Sequence, residues 1–189
     1  MNNIRILGIC GSLRKESINK NLLLHMSKML PENYSFELAD LSALPLYNTD
    51  LESNLPQPVR ILAEQVSRAD AVLISSPEYN SSITGVLKNS LDWLSRPIVN
   101  TPLANKLVAI MGATPGLLGT IKGQLHLREI LFALNADLIR RPEVLIPHAA
   151  LKFNELGEVT DSKAIAVLNK LADALDEEVK VKKNRSKDY

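Results

Sequence analysis

Ile4-Arg5-Ile6-Leu7-Gly8-Ile9-Cys10-Gly11 is the stretch on which the fold turns. The apolar run is too short for a helix and stops at a glycine, which reads as a buried strand. Over 17–30, Leu22, Leu23, Met26 and Leu30 recur at helical spacing until Pro31 ends the pattern. Tyr34 to Leu38 alternates as a second strand, and 40–56 is a long irregular segment holding Pro45 and Pro56. A segment of that length is either functional or disordered. A helix over about 58–68 carries Val59, Leu62, Ala63 and Val66 on one face, and Ala71 to Ile74 is the next buried strand. Then come a helix at 84–95, a strand at Leu107 to Met111, a Gly-rich loop and a helix at about 122–135. Ala136 to Ile146 reads as a last strand bent near Pro142, and Ala164, Ile165, Leu168, Leu171 and Leu175 stripe a closing helix over 161–176.

Strands and helices alternate, and the strands are apolar on both faces. Such a pattern signals an α/β protein with a parallel sheet covered by helices on each side. Five strands match a flavodoxin-like doubly wound sheet of order 2-1-3-4-5. Residues 1–176 read as one domain. Segment 177–189 holds five basic and three acidic residues, Lys180, Lys182, Lys183, Arg185 and Lys187 among them. It reads as a frayed, solvated tail, with contact to phosphate or nucleic acid as the alternative.

Composition excludes several functions. Twenty-two basic residues against 21 acidic ones leave a net charge of +1, so no general field attracts nucleic acid, and no acidic surface suits a small electron carrier that docks by charge. Cys10 is the one cysteine, which removes a disulfide framework and any Cys-rich zinc or iron–sulfur site. No His/Asp/Glu cluster has metal-ligand spacing. No run approaches 18 apolar residues and no basic leader precedes an apolar stretch, so a cytoplasmic protein without a membrane segment is expected.

In doubly wound sheets ligands bind beyond the carboxyl ends of the strands, where the strand order reverses. Three loops border that crevice. The first, Gly11-Ser12-Leu13-Arg14-Lys15-Glu16-Ser17, leads into Ile18 and Asn19. Gly11 permits a tight turn, Ser17 suits a helix N-cap, and Ser12, Arg14, Ser17 and Asn19 offer polar groups at a helix start, a site for one phosphate. A capped turn with solvated hydroxyls is the alternative. It is neither a P-loop nor the three-glycine dinucleotide fingerprint. Nor does it suit a cysteine phosphatase, which needs Arg where Glu16 stands, so Cys10 reads as a small core residue.

The second loop, Ser76-Pro77-Glu78-Tyr79-Asn80-Ser81-Ser82, should point backbone N–H groups into the crevice, suited to a planar ligand whose oxygens gain charge on reduction. A Pro-initiated turn is the plain alternative. In the third, Ala113 to Thr120, glycines imply close approach of the backbone to a ligand or a neighbour, or else a loose surface loop.

Gly-Ser-Leu-Arg with Ser17 and Asn19, then Pro77-Glu78-Tyr79-Asn80, then Lys88-Asn89 with Asp92-Trp93, resembles the NADPH-dependent FMN reductases, a family that includes quinone, azo-dye and chromate reductases. The resemblance runs over about 4–146. It implies that Ser12, Arg14, Ser17, Ile18 and Asn19 hold the FMN phosphate. It further implies that Pro77, Glu78, Tyr79, Asn80 and Ser81 flank the ribityl chain and isoalloxazine, with Thr114 and Gly116 approaching the flavin. NADPH or NADH is the implied co-substrate and a small electron acceptor the second. No side chain then need act as nucleophile, since the cofactor carries the chemistry. A homodimer or homotetramer is implied, packed through helix 84–95 with Trp93 and Leu94, burial within one chain being the alternative. Thr84 stands where the family often has Pro and reads as a neutral helix start; Thr120 stands where a second Gly is usual. His25 and His126 read as surface or packing residues. A flavodoxin-type carrier shares the fold, and a phosphate-ester hydrolase shares the first loop but lacks a nucleophile.

Overall fold

In the computed structural model, which describes residues 3–185, the order of elements is β1 (Ile4–Cys10), α1 (Ile18–Ser27), β2 (Tyr34–Leu38), α2 (Gln57–Arg68), β3 (Ala71–Ser75), α3 (Gly85–Leu94), β4 (Leu107–Ala113), α4 (Ile121–Ala133), β5 (Asp137–Leu138), β6 (Val144–Ile146) and α5 (Ser162–Arg185). The sheet is parallel in every pairing and runs β2-β1-β3-β4-β5, with β6 also on β4. Alternation along each strand sorts the core into two layers. Ile4, Ile6, Leu73, Ala109 and Met111 meet α1 and α5 on one face. Leu7, Ile9, Val72, Ile74, Val108 and Ile110 meet α2, α3 and α4 on the other. Cys10 pairs with Ser75 and Ser75 with Met111, so the three central strands end level and release their loops at one height.

Two expectations are corrected and one alternative is removed. The bent last strand is two short ones: β5 pairs with the start of β4 (Leu107↔Asp137) and β6 with its end (Met111↔Val144), making six strands rather than five. Arg140, Arg141 and Pro142 lie between them, and proline has no N–H for a ladder. Next, the chain does not fray at 177. Helix α5 runs on to Arg185 because Val179 is buried and Lys183 pairs with Asp70 at 3.0 Å and Lys182 with Asp137. The last four residues of the expected tail, Lys187 among them, lie outside the described ones. Segment 40–56 is ordered as well. It holds a 3-10 helix at Thr49–Asn54 and packs Leu44, Tyr47, Leu51 and Leu55 on the core.

Helix α3 anchors that segment. Asn89 donates from Nδ2 to the Pro45 carbonyl at 2.9 Å and accepts the Tyr47 N–H at 2.8 Å. Trp93 donates from Nε1 to the same carbonyl at 2.9 Å, its ring edge-on to Tyr47. Trp93 and Leu94 are therefore buried within the chain, and neither side chain is offered to a second subunit. No helix among the described residues is long and apolar enough to cross a membrane.

Candidate functional site

Ser17 caps α1, its Oγ accepting the Lys20 N–H at 3.3 Å, while its carbonyl accepts from Asn21 at 2.9 Å. A helix leaves its first N–H groups without intrahelical acceptors. After those two bonds, Ile18 and Asn19 are the first-turn residues whose N–H groups have no acceptor among the described residues. Ser12 is half-buried and Arg14 exposed beside them. Gly11 is required by close approach, since a Cβ there would lie 2.4 Å from Ser76 Oγ. Beneath the loop lies Cys10, its thiol 3.8 Å from Ser17 Oγ. Burial pushes that thiol pKa up, and the Ser12 N–H and Ser17 hydroxyl act the other way. An anion entering this loop meets helix N–H groups and a guanidinium, not a thiolate.

Asn19 does something the sequence does not show. Its side chain is buried and spans two strand ends: Nδ2 donates to the Ala113 carbonyl at 2.9 Å, and Oδ1 accepts from the Ala113 N–H at 3.0 Å and from Ser75 Oγ at 2.9 Å. Its amide thus ties loop 11–17 and the start of α1 to the ends of β3 and β4.

The loop after β3 is a tight reverse turn. Tyr79 and Ser82 exchange two backbone bonds of 3.0 Å, with Asn80 at φ 51° and Ser81 at φ 63°. Asparagine tolerates this left-handed region, and paired left-handed residues make the hairpin turn. The expectation that the loop's N–H groups face the crevice is therefore narrowed, because those of Tyr79 and Ser82 are spent within the turn. Pro77 stays half-buried, and its carbonyl accepts from Ser76 Oγ at 2.9 Å. Glu78 also turns from the crevice: its Oε2 accepts the Gly123 N–H at 3.0 Å, capping α4 where a carboxylate is favoured. Lys122 reaches Ser81 Oγ at 3.3 Å, and His126 Nδ1 lies 3.0 Å from Ser82 Oγ, so α4 braces the turn. Tyr79 is left 52% exposed, an aromatic surface at the mouth.

The third loop is closed by Thr114, whose N–H reaches the Ile146 carbonyl at 3.0 Å and whose Oγ1 accepts the Gly116 N–H at 3.3 Å. The His148 N–H holds the Gly116 carbonyl at 3.0 Å. All twelve expected residues thus lie on the three loops at the carboxyl edge of the sheet or on the first turn of α1. Their division of labour differs from expectation: Asn19 and Glu78 use their side chains to fasten the site. Thr84 also reaches the first loop. Far from a neutral helix start, it is buried, accepts the Leu87 N–H at 3.3 Å and donates to the Gly11 carbonyl at 2.7 Å. Among the described residues no group of three metal-ligating side chains comes together.

The family model for NADPH-dependent FMN reductases matches residues 4–151. An NAD(P)H-dependent FMN reductase of Pseudomonas aeruginosa is 42% identical over 173 residues, covering 91% of this chain and 93% of that protein. A 2-hydroxy-1,4-benzoquinone reductase of Burkholderia sp is 38% identical over 156 residues, 82% of this chain and 85% of the other. Among solved structures, the flavoenzyme FerB, an NAD(P)H:(acceptor) oxidoreductase from Paracoccus denitrificans, superposes with a TM-score of 0.87 at 32% identity, covering 94% of this chain and 97% of its own. With loops, strand order and sequence in agreement, the chain belongs to the NADPH-dependent FMN reductase family and is an oxidoreductase that works with FMN and NAD(P)H.

Proposed function

We propose that the three-loop crevice holds FMN by its phosphate in loop 11–17, and that the acceptor reduced there is a small planar oxidant, a quinone before an azo compound, free flavin or metal oxyanion. The single observation carrying this reading is the tie made by Asn19, which joins a helix-start anion site to the mouth formed by the other two loops. The residues suit the group, because first-turn N–H donors without intrahelical acceptors and the exposed Arg14 guanidinium stand together at the start of α1. Ser12, Ser17, Ile18 and Asn19 would hold the phosphate, the last two through their N–H groups. Pro77, Tyr79, Asn80, Ser81, Thr114 and Gly116 would border the ring, and Glu78 would keep α4 against the turn. When bound, FMN supplies hydride acceptance from NAD(P)H and two-electron delivery to the acceptor. The chain's own part is placement, with backbone donors set where charge develops.

Quinone is preferred because Tyr79 and the exposed Leu117 and Leu118 give the mouth an apolar rim suited to an uncharged ring. The buried free Cys10 suits a reducing compartment, and we adopt a cytoplasmic enzyme. A homo-oligomer is supported by the apolar residues Ile121, Leu125 and Phe132 exposed on α4, rather than by Trp93. The test is the visible spectrum of the purified protein. It should take up FMN and be bleached by NADPH without oxygen, then recover on adding a benzoquinone. A colourless protein that takes up no added FMN overturns the reading.

A further inference from the structure

Gly11 is held at three points. The Gly11 N–H donates to the Ser75 carbonyl at 2.8 Å, the Gly11 Cα lies against Ser76 with no room for a Cβ, and the Gly11 carbonyl accepts from Thr84 Oγ1 at 2.7 Å. A trans peptide is planar, with its C=O and N–H on opposite sides. A carbonyl turned toward Thr84 therefore sends the Ser12 N–H the other way, to the side of the Cys10 thiol, whose charged form it favours and whose Sγ lies 3.8 Å from Ser17 Oγ. Glycine is the residue at which such a plane turns most readily, so the direction of the Ser12 N–H depends on what holds the carbonyl. The holder is buried, only 2% exposed, and is itself fixed: Thr84 caps α3 at φ −74° and accepts the Leu87 N–H through the same oxygen.

We propose that Thr84 is a positioning residue for the FMN phosphate: from the start of α3 its hydroxyl holds the Gly11 carbonyl and so aims the Ser12 N–H into the loop. One helix start thereby sets the donor geometry of the site at another. The inference rests on loop 11–17 being the phosphate site. It goes beyond that reading by assigning a selectivity role to a residue that touches no ligand.

Apo-protein is titrated with FMN and with riboflavin, following quenching of the ligand's fluorescence. Thr84→Val keeps the shape and deletes the donor, while Thr84→Ser keeps the donor. The aimed N–H is one of several donors to a charged group, so Thr84→Val should weaken FMN by about tenfold, leave riboflavin nearly unchanged, and so shrink the FMN-to-riboflavin preference by the same factor. Thr84→Ser should restore the preference. If Thr84→Val does not fold, Thr84→Ala against Thr84→Ser gives the same comparison. A wild-type preference in the variant lacking the hydroxyl, or equal weakening of both ligands, overturns the role of Thr84 and leaves the phosphate site standing. A wild-type protein that binds riboflavin as tightly as FMN instead removes the phosphate reading itself.

Discussion

Replacing Asn19 by Ala separates a group that holds the site together from one that touches the ligand. The amide makes three bonds of 2.9, 3.0 and 2.9 Å to Ala113 O, Ala113 N and Ser75 Oγ, all buried. Each buried polar group left without a partner costs about 1–3 kcal/mol. The Ser75 hydroxyl can rotate to another acceptor, but the two backbone groups of Ala113 cannot, and the vacated space adds a packing loss. We expect Asn19→Ala to destabilise the apo-protein by about 3–5 kcal/mol. For a chain of this length each kcal/mol moves the midpoint about 2–4 °C, so Tm should fall by about 6–20 °C. Thermal melting of the apo-protein followed by circular dichroism reads this directly. An unchanged midpoint together with a lost preference for FMN would refute the reasoning, because a side chain serving only the phosphate leaves the empty protein as stable as before.

Arg14→Ala should do the reverse: no change in the apo melt, and a fall in FMN affinity of about ten- to thirtyfold with riboflavin unaffected, the lower end of the range for a charge-assisted contact because Arg14 is exposed. Initial rates with NADPH and a benzoquinone should give parallel double-reciprocal lines, since both substrates use one mouth; intersecting lines would argue for separate sites. Tyr34→Phe removes a 2.7 Å bond donated to Asp176. It should cost about 1 kcal/mol near neutral pH in urea unfolding. Lys180 first, then Tyr34, holds the Asp176 carboxyl below its ordinary range, so that stability is present above the unfolded carboxylate pKa and lost as pH falls through the folded value. Burial first, then Asp176, pushes the Tyr34 phenol up, so its contribution is full below the ordinary tyrosine pKa and is lost as pH rises beyond it toward the folded value. The difference between Tyr34→Phe and the parent should therefore shrink at both ends of the pH range, and a difference that is flat with pH would contradict it.

How far the fold was legible depended on whether the information was local. Ala71 to Ile74 and Leu107 to Met111 read as strands because both faces are buried, which leaves an unbroken apolar run. The split of β5 from β6 was hidden, since pairing to opposite ends of β4 is a property of the partner strand. The last turns of α5 looked solvated because their anchors, Asp70 and Asp137, lie far back in the chain. In the site, residue types and order were legible and directions were not. Asn19 reads as a ligand group until its partners Ser75 and Ala113, 56 and 94 residues on, are known, and Glu78 does so until the N–H of Gly123 is found 45 residues on.

The two departures from the family pattern show the same economy. Thr120 sits at φ 72°, where a residue with a Cβ costs about 1–2 kcal/mol and glycine costs nothing. The strain persists because the side chain is enclosed. Its Oγ1 accepts from Gln124 Nε2 at 3.1 Å and lies 2.2 Å from where a Cβ on Gly112 would stand. Gly112 lacks a side chain where Thr120 needs room. Gln124 completes the lock by donating to the Val144 carbonyl at 2.9 Å, which ties the start of α4 to β6. Thr84 and Thr120 thus do related work at two helix starts, each fastening a loop of the crevice to an element behind it. The backbone groups that we propose face FMN are thereby fixed by bonds within the protein, and binding then need not meet the conformational cost of ordering them.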